Sequence, residues 1–385
     1  MKKDLYLSFV VLFQMIVTTL QLLLPLLGIA SVETAASYRV IITLLTYLPG
    51  AVIVARRHLS WIVMAFVAYF SVLLISYVLF PASHRFIESS QAITLTPISI
   101  LTILFMVSIR DFENFKKMLL FVSRASVAIA FLYAVANTLS PFRNLDETYN
   151  MSFGYCMLLP AMFLFTQQGY IDKFMSFMLF ALILVDGSRG PVVVLAIFYT
   201  YYTLFLSSGK TKKRMVLIVA VAVWAAMMIL PRLESFQNSR TMFLLKEGEL
   251  ISYDSGRDED VYSVILPKIM ESPIVGWGIG GDRYFLDGSY SHNIFIEVFI
   301  HYGIFFGTAL FAWLFFYCIR MFLSSRTKHI PGEREMFVMM FLYGFIPKLV
   351  SGSYLIDFSF AIFIGYLISL KRHQKNTLLK AARQL

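Results

Sequence analysis

The sequence predicts an all-α, polytopic membrane protein of about twelve transmembrane helices with one long, partly helical external loop. Three observations predict it. Of 385 residues, 58% are hydrophobic and only 15% charged, with a mean hydropathy of +0.73, too few charges to cover a soluble chain of this length. The apolar residues fall into repeated runs approaching the roughly 20 residues that cross a bilayer core. Lysines and arginines gather in every second connecting segment, the pattern of the positive-inside rule.

Taken in order, the expected spans cover roughly 5–27, 37–55, 60–80, 92–109, 118–139, 151–168, 174–187, 191–206, 215–230, 303–319, 336–350 and 353–370. The first follows a basic start, Met1-Lys2-Lys3. It is too long for a signal peptide and lacks a small-residue cleavage site, so it reads as a membrane helix. The segments assigned to the cytoplasm are Lys2-Lys3, Arg56-Arg57-His58, 110–117, 167–173, 207–214, 320–335 and the tail from Lys371. They alternate with the opposite side throughout, which puts both termini in the cytoplasm. The expected organisation is therefore a bundle over 1–230 (about nine spans), an external loop over 231–292, further membrane helices over 293–370 and a basic tail over 371–385.

This topology accounts for the net charge of +10. The basic residues face an anionic inner leaflet; they do not form the basic, aromatic-interleaved face that binds nucleic acid. Cys156 and Cys318, the two cysteines, lie in apolar spans and suggest neither a disulfide framework nor a zinc site. In the loop, Phe243, Leu244, Leu245 and the run from Val261 to Met270 predict partial folding. "EDVYSVILPKIM" predicts a short helix interrupted near Pro267.

Gly276, Gly278 and Gly281 match G-x-G-x-x-G. A dinucleotide fingerprint needs a preceding strand, a helix opened by the glycines and an acidic residue about 20 positions on. Here the glycines lead to "DRYFLDGSYS" and a membrane helix, on the side away from cytoplasmic nucleotides. They are expected to turn the loop and bring His292 back over the membrane.

Three external features carry candidate chemistry. In "VDGSRGPVVVL" (185–195), Arg189 falls at the outer membrane surface, where ionisable groups are candidates for function. It could instead snorkel to headgroups or pair with Asp186. Arg257 precedes a helical pattern, where a solvated charge cluster is the plainer reading. Asp258-Glu259-Asp260 beside it formally matches the D-x-D of metal-dependent sugar transferases, although the pattern is common in polar loops. His292 and Asn293 stand where the loop rejoins the membrane, with Asn293 and Glu297 spaced to share a helix face. His292 is either a polar interface anchor or a base able to accept a hydroxyl proton. Guanidinium forks suit pyrophosphate oxygens; Arg283 and Arg143 are further external arginines of this kind. External arginines plus a histidine suggest sugar transfer from a lipid pyrophosphate donor.

At these residues the chain resembles the O-antigen polymerase/O-antigen ligase superfamily of bacterial membrane glycosyltransferases. The resemblance rests on an ordered set: Ser188-Arg189-Gly190, Ser255-Gly256-Arg257, Pro273-x-x-Gly276-x-Gly278, His292-Asn293, and Gly303-Ile304-Phe305-Phe306-Gly307. "YNMSFGYCMLLP" (149–160) also resembles the preceding span of polysaccharide polymerases, whereas the first 140 residues match in topology only. Val261-Tyr262 stand where many members have a tryptophan after S-G-R.

The resemblance implies a GT-C-like fold in the bacterial inner membrane, with the long loop periplasmic. It implies an inverting, metal-independent transfer that needs no cofactor. Arg189 and Arg257 would bind and neutralise the donor pyrophosphate, with Asn293, Arg283 and Arg143 as further substrate contacts. His292 would orient or deprotonate the acceptor hydroxyl. The implied partners are undecaprenyl-pyrophosphate-linked glycans as donor and acceptor, membrane lipids and a chain-length regulator protein, with no nucleic acid. The activity expected first is polymerisation of O-antigen or capsule repeat units. The alternatives are a ligase that moves the glycan to lipid A core and, from another class, a lipid-linked-sugar flippase, for which Arg124, Lys348 and Asp357 are the candidate lining groups.

Overall fold

The computed structural model describes residues 2–139, 151–206, 261–327 and 332–382. Among them every regular element is helical. The main helices are α1 (Lys2–Leu26), α2 (Val32–Leu79), α3 (His84–Ile87), α4 (Thr96–Ser108), α5 (Phe112–Leu139), α6 (Met151–Thr166), α7 (Tyr170–Asp186), α8 (Arg189–Tyr201), α9 (Ser263–Glu271), α10 (Asp282–Phe285), α11 (Ile294–Thr327), α12 (Glu333–Gly344) and α13 (Phe358–Ala382).

Among the described residues, five stretches are long and apolar enough to cross a membrane: Lys2–Leu26, Val32–Leu79, Gln91–Ser108, Phe112–Leu139 and Ile294–Ser324. Met151–Thr166, Gly190–Leu206 and Phe358–Leu370 are shorter apolar helices. The chain is a helical membrane protein. Its apolar character is not all core: only 11% of the most apolar window of α2 is buried, and Leu45, Leu48, Met64 and Val78 project outward as lipid-facing side chains do.

Some boundaries agree with the sequence pattern and others differ. The break expected between the runs 37–55 and 60–80 is present: His58 leaves the helical conformation (φ −152°, ψ 54°) beside the charged Arg56-Arg57 pair, so α2 is two helical stretches joined across a kink. Arg57 Nη1 donates to the carbonyl of Ser108 there at 2.9 Å. Helix α9 continues through Pro267. The proline is the fifth residue of the helix, so it forfeits one backbone bond near the start and does not end the helix. The run expected from 303 sits inside a helix that begins at Ile294 and breaks at Gly303. The run 215–230 lies outside the described residues.

The chain forms two compact units, each discontinuous in sequence: residues 1–48 with 111–251, and residues 49–110 with 252–385. In the first, α1 and α5 start level with one another, since the Asp111 amide donates to Asp4 Oδ2 at 3.1 Å. Arg124 of α5 grips the buried Asp172 of α7 with both ends of its guanidinium, at 2.8 and 3.0 Å. Ser176 of α7 donates to the Ala161 carbonyl of α6 at 2.7 Å and meets the Tyr199 hydroxyl of α8 at 2.8 Å. These bonds give the buried Asp172, Ser176 and Tyr199 partners on neighbouring helices, which fixes helix register.

In the second unit, α4 packs on α13 and α12 on α13. The α4–α13 contact depends on Gly365, where a Cβ would lie 2.6 Å from Met106 Cβ and 3.0 Å from the Ile103 carbonyl oxygen. Small residues allow such close backbone approach in membrane helices. Gly365→Leu is expected to lower stability by about 1–3 kcal/mol through overpacking, read as a lower thermal midpoint in detergent, with Gly365→Ala falling between it and the unaltered protein.

Candidate functional site

The second unit concentrates polar chemistry around the start of α11. The backbone explains why. At Gly303 (φ 77°, ψ 164°) α11 stops bonding to itself, so the carbonyls before the break and the amides after it lose helical partners. The segment 273–278 supplies replacements. Trp277 N–H donates to the Ile300 carbonyl at 2.8 Å and Gly278 N–H to the His301 carbonyl at 3.1 Å. In return, the Pro273 carbonyl accepts from Ile304 N–H at 2.7 Å.

The two chains come so close that side chains are excluded at two positions. A Cβ on Gly276 would sit 2.6 Å from Gly303 N, and a Cβ on Gly303 would sit 2.5 Å from the Ile274 carbonyl. Both glycines also have positive φ. The P-x-x-G-x-G and G-I-F-F-G motifs are thus two halves of one backbone joint. The other glycines of the G-x-G-x-x-G match face protein as well, Gly278 against Phe80 and Ser83 and Gly281 against Trp277. No cradle for a pyrophosphate remains among them.

Just beyond this joint, α10 carries Asp282 and Arg283, both at most 2% exposed. Arg283 Nη1 donates to Asp282 Oδ1 at 2.6 Å and to Glu297 Oε1 at 2.8 Å, and its Nη2 donates to Ser353 Oγ at 2.7 Å. The guanidinium carbon also lies 5.2 Å from the Phe86 ring centre and 5.6 Å from that of Tyr290. Glu297 accepts further from Ser353 Oγ and the Tyr354 amide. His301 Nε2 is 2.9 Å from Asp282 Oδ1, and its Nδ1 is 2.8 Å from the Tyr354 hydroxyl. Burial works to raise the Asp282 carboxyl, but the Arg283 charge and then His301 outweigh it and hold it well below the usual carboxylate range. Burial opposes the Arg283 charge too, but Asp282 and Glu297 keep it above the ordinary arginine value.

Asp282, Glu297 and His301 bring ligand atoms within 4.8 Å of one another, a spacing that suits a metal ion. Arg283 Nη1 is already bonded to the two carboxylates. The donor set therefore closes around a guanidinium and not around a cation from solution.

His292 and Asn293 begin α11. Asn293 Oδ1 accepts from Phe295 N–H at 2.9 Å and Ile296 N–H at 3.4 Å, an N-cap, while its Nδ2 donates to the Leu349 carbonyl at 3.0 Å. Its expected role as a substrate contact competes with these bonds. Arg283, expected to contact substrate, is committed to internal partners and buried, so its charge is spent within the fold. Arg143 and Arg257 lie outside the described residues, as do Ser255-Gly256, Asp258–Asp260 and Phe243–Leu245.

Arg189 belongs to the first unit, as the first residue of α8. The turn before it is sharp because Gly187 closes α7 in the left-handed conformation (φ 86°). The buried Asp186 accepts from Ser188 Oγ at 2.8 Å and from the Tyr133 hydroxyl at 3.3 Å. The other polar groups noted within spans are paired: Arg124 with Asp172, and Lys348 with Asp357. Cys156 and Cys318 are buried.

Sequence reasoning did not find Asp282, His301, Ser353 or Tyr354. One signal was present: Glu297 and His301 stand four apart in an apolar helix, where ionisable groups need partners. The partners themselves come from residues 282–283 and 353–354, which no local spacing connects. Compared with protein-family models, curated proteins and solved structures, the chain matches none.

Two outcomes test the joint and the cluster. Gly303→Ala is expected to cost about 2–5 kcal/mol, combining left-handed strain with the clash on residue 274. Arg283→Met is expected to cost about 3–5 kcal/mol by leaving two buried carboxylates without their cation. Both are read by thermal unfolding in detergent. Acid adds a signed prediction. Because folded Asp282 titrates below its unfolded counterpart, its stabilisation is complete above the ordinary carboxylate value of about 4 and is lost as pH falls towards the lowered one. The midpoint should therefore fall with acid below about pH 4, and Asp282→Asn should flatten that fall.

Proposed function

We propose that the protein is a glycosyltransferase that polymerises lipid-linked oligosaccharide repeat units of O-antigen or capsule type. The carrying observation is the ordered motif set, whose P-x-x-G-x-G, H-N and G-I-F-F-G members lie along one folded segment, 273–307. The joint at Gly276 and Gly303 ties two of those motifs together in this chain, with His292 just before the apolar helix that carries Gly303.

In this reading both termini are cytoplasmic, about twelve spans form a GT-C-like bundle, and the site opens to the outer leaflet of a bacterial inner membrane. The donor is a glycan on undecaprenyl pyrophosphate. Arg189 and Arg257 neutralise the departing pyrophosphate, whose developing charge fixed cationic donors stabilise. His292 takes the proton of the attacking hydroxyl on the next lipid-linked unit as the new glycosidic bond forms and the anomeric C–O bond to phosphate breaks. Attack opposite the leaving group inverts the anomeric carbon.

Transfer to lipid A core is the second reading, because the same motifs serve either acceptor. A flippase is disfavoured by a specific observation. Arg124, Lys348 and Asp357, the groups that would line a polar path, are occupied by ion pairs.

The test supplies purified full-length protein with lipid-linked repeat units in the presence of chelator. Elongation should persist in chelator and fall by at least about 100-fold in His292→Ala, Arg189→Ala and Arg257→Ala. Normal elongation by all three variants would remove the site, and loss of activity in chelator would return Asp258-Glu259-Asp260 to consideration. Lipid A core as the sole productive acceptor would make the protein a ligase.

A further inference from the structure

His292 has a left-handed backbone (φ 56°), a conformation that few non-glycine residues adopt. Both neighbours are fixed. Ser291 N–H donates to Asp282 Oδ2 at 3.0 Å. Asn293 caps α11 and reaches the Leu349 carbonyl. The imidazole lies against the ring of Tyr290, with centroids 4.3 Å apart and planes tilted by 45°. Tyr290 in turn lies against the Arg283 guanidinium, which Asp282, Glu297 and Ser353 hold from its other sides. Imidazole, phenol ring and guanidinium thus follow one another, and the series ends on a buried ion cluster in which both terminal nitrogens of Arg283 are bonded.

From this arrangement we infer that Asp282, Arg283 and Tyr290 are positioning residues for His292. Asp282 holds the backbone before it, and Arg283 backs the aromatic ring that orients its side chain. The inference rests on the role proposed above for His292. It gives Arg283 a function that needs no contact with substrate. It also assigns a reason for the buried ion cluster beyond stability: a packed core of alkyl groups could fill the same volume, but could not accept the Ser291 amide or hold a cation under Tyr290.

The experiment uses full-length protein in lipid nanodiscs with isotope-labelled histidine. The chain has 6 histidines, and loss of one signal in His292→Gln identifies the residue. Tyr290→Phe keeps the ring and should leave the His292 shift and titration midpoint unchanged. Tyr290→Leu and Asp282→Asn should move both. In the elongation assay Tyr290→Leu should lower kcat by about 10- to 100-fold with KM little changed, and Tyr290→Phe should restore it. A merely structural role would lower the thermal midpoint and leave the His292 signal in place.

An unchanged His292 signal in Tyr290→Leu overturns the inference, whatever the activity. So does full elongation by Tyr290→Leu when His292→Gln is inactive. Should Asp282→Asn fail to fold, Tyr290→Leu decides alone, since its ring is only half-buried. If the signal moves as expected but His292→Gln elongates normally, the positioning geometry stands and the functional reading is what fails.

Discussion

At Gly303 an apolar helix stops bonding to itself, and the peptide groups left open have to be satisfied without bulk water. A membrane protein has few ways to do this. Here residues 273–278 lie along the break and exchange backbone bonds with both sides of it. Much of the local architecture follows. The approach is close enough to require glycine at 276 and 303. Once it is fixed, the chain continues directly into Asp282 and Arg283, and the Arg283 guanidinium reaches Glu297 at 2.8 Å. The loop is part of the membrane unit because its amides complete a helix that would otherwise be unsatisfied.

The ion cluster is the second consequence. Two carboxylates and a guanidinium are almost fully buried together, an arrangement that gains little over an apolar core yet is costly to break. Its value lies in specificity. Only one docking of the loop puts Arg283 between Asp282 and Glu297 while Ser353 and Tyr354 close the remaining bonds. That docking also holds Ser291 and seats Tyr290, so the geometry at His292 is set by electrostatics several residues away. An arginine can therefore serve a site without touching what the site binds.

Much of the fold was legible. The apolar runs mark helices, and α1, α4 and α5 fall where their runs place them, because hydrophobic length and helix rise are both local quantities. The ends were unevenly legible. The charged pair at Arg56-Arg57 reads as a break between two helices, and His58 beside it does leave the helical conformation. Pro267 reads as an interruption, yet near a helix start it costs a single bond. For the proposed site, His292 and Asn293 are singled out by their place just before an apolar helix. The roles of Arg283 and Asn293 were not, because a side chain's partner decides whether its charge or hydrogen bonds remain available.

The sequence by itself determined that this chain lives among lipids and which of the described runs are helical. Those properties depend on composition and on spacing along one helix. Only the tertiary structure decided that Gly276 meets Gly303, that Arg283 is enclosed by Asp282, Glu297 and Ser353, and that residues 49–110 and 252–385 make one compact unit. Those are pairings over tens to hundreds of residues. They are chosen by which unsatisfied group can reach which partner once the helices are packed, and no local pattern records that choice.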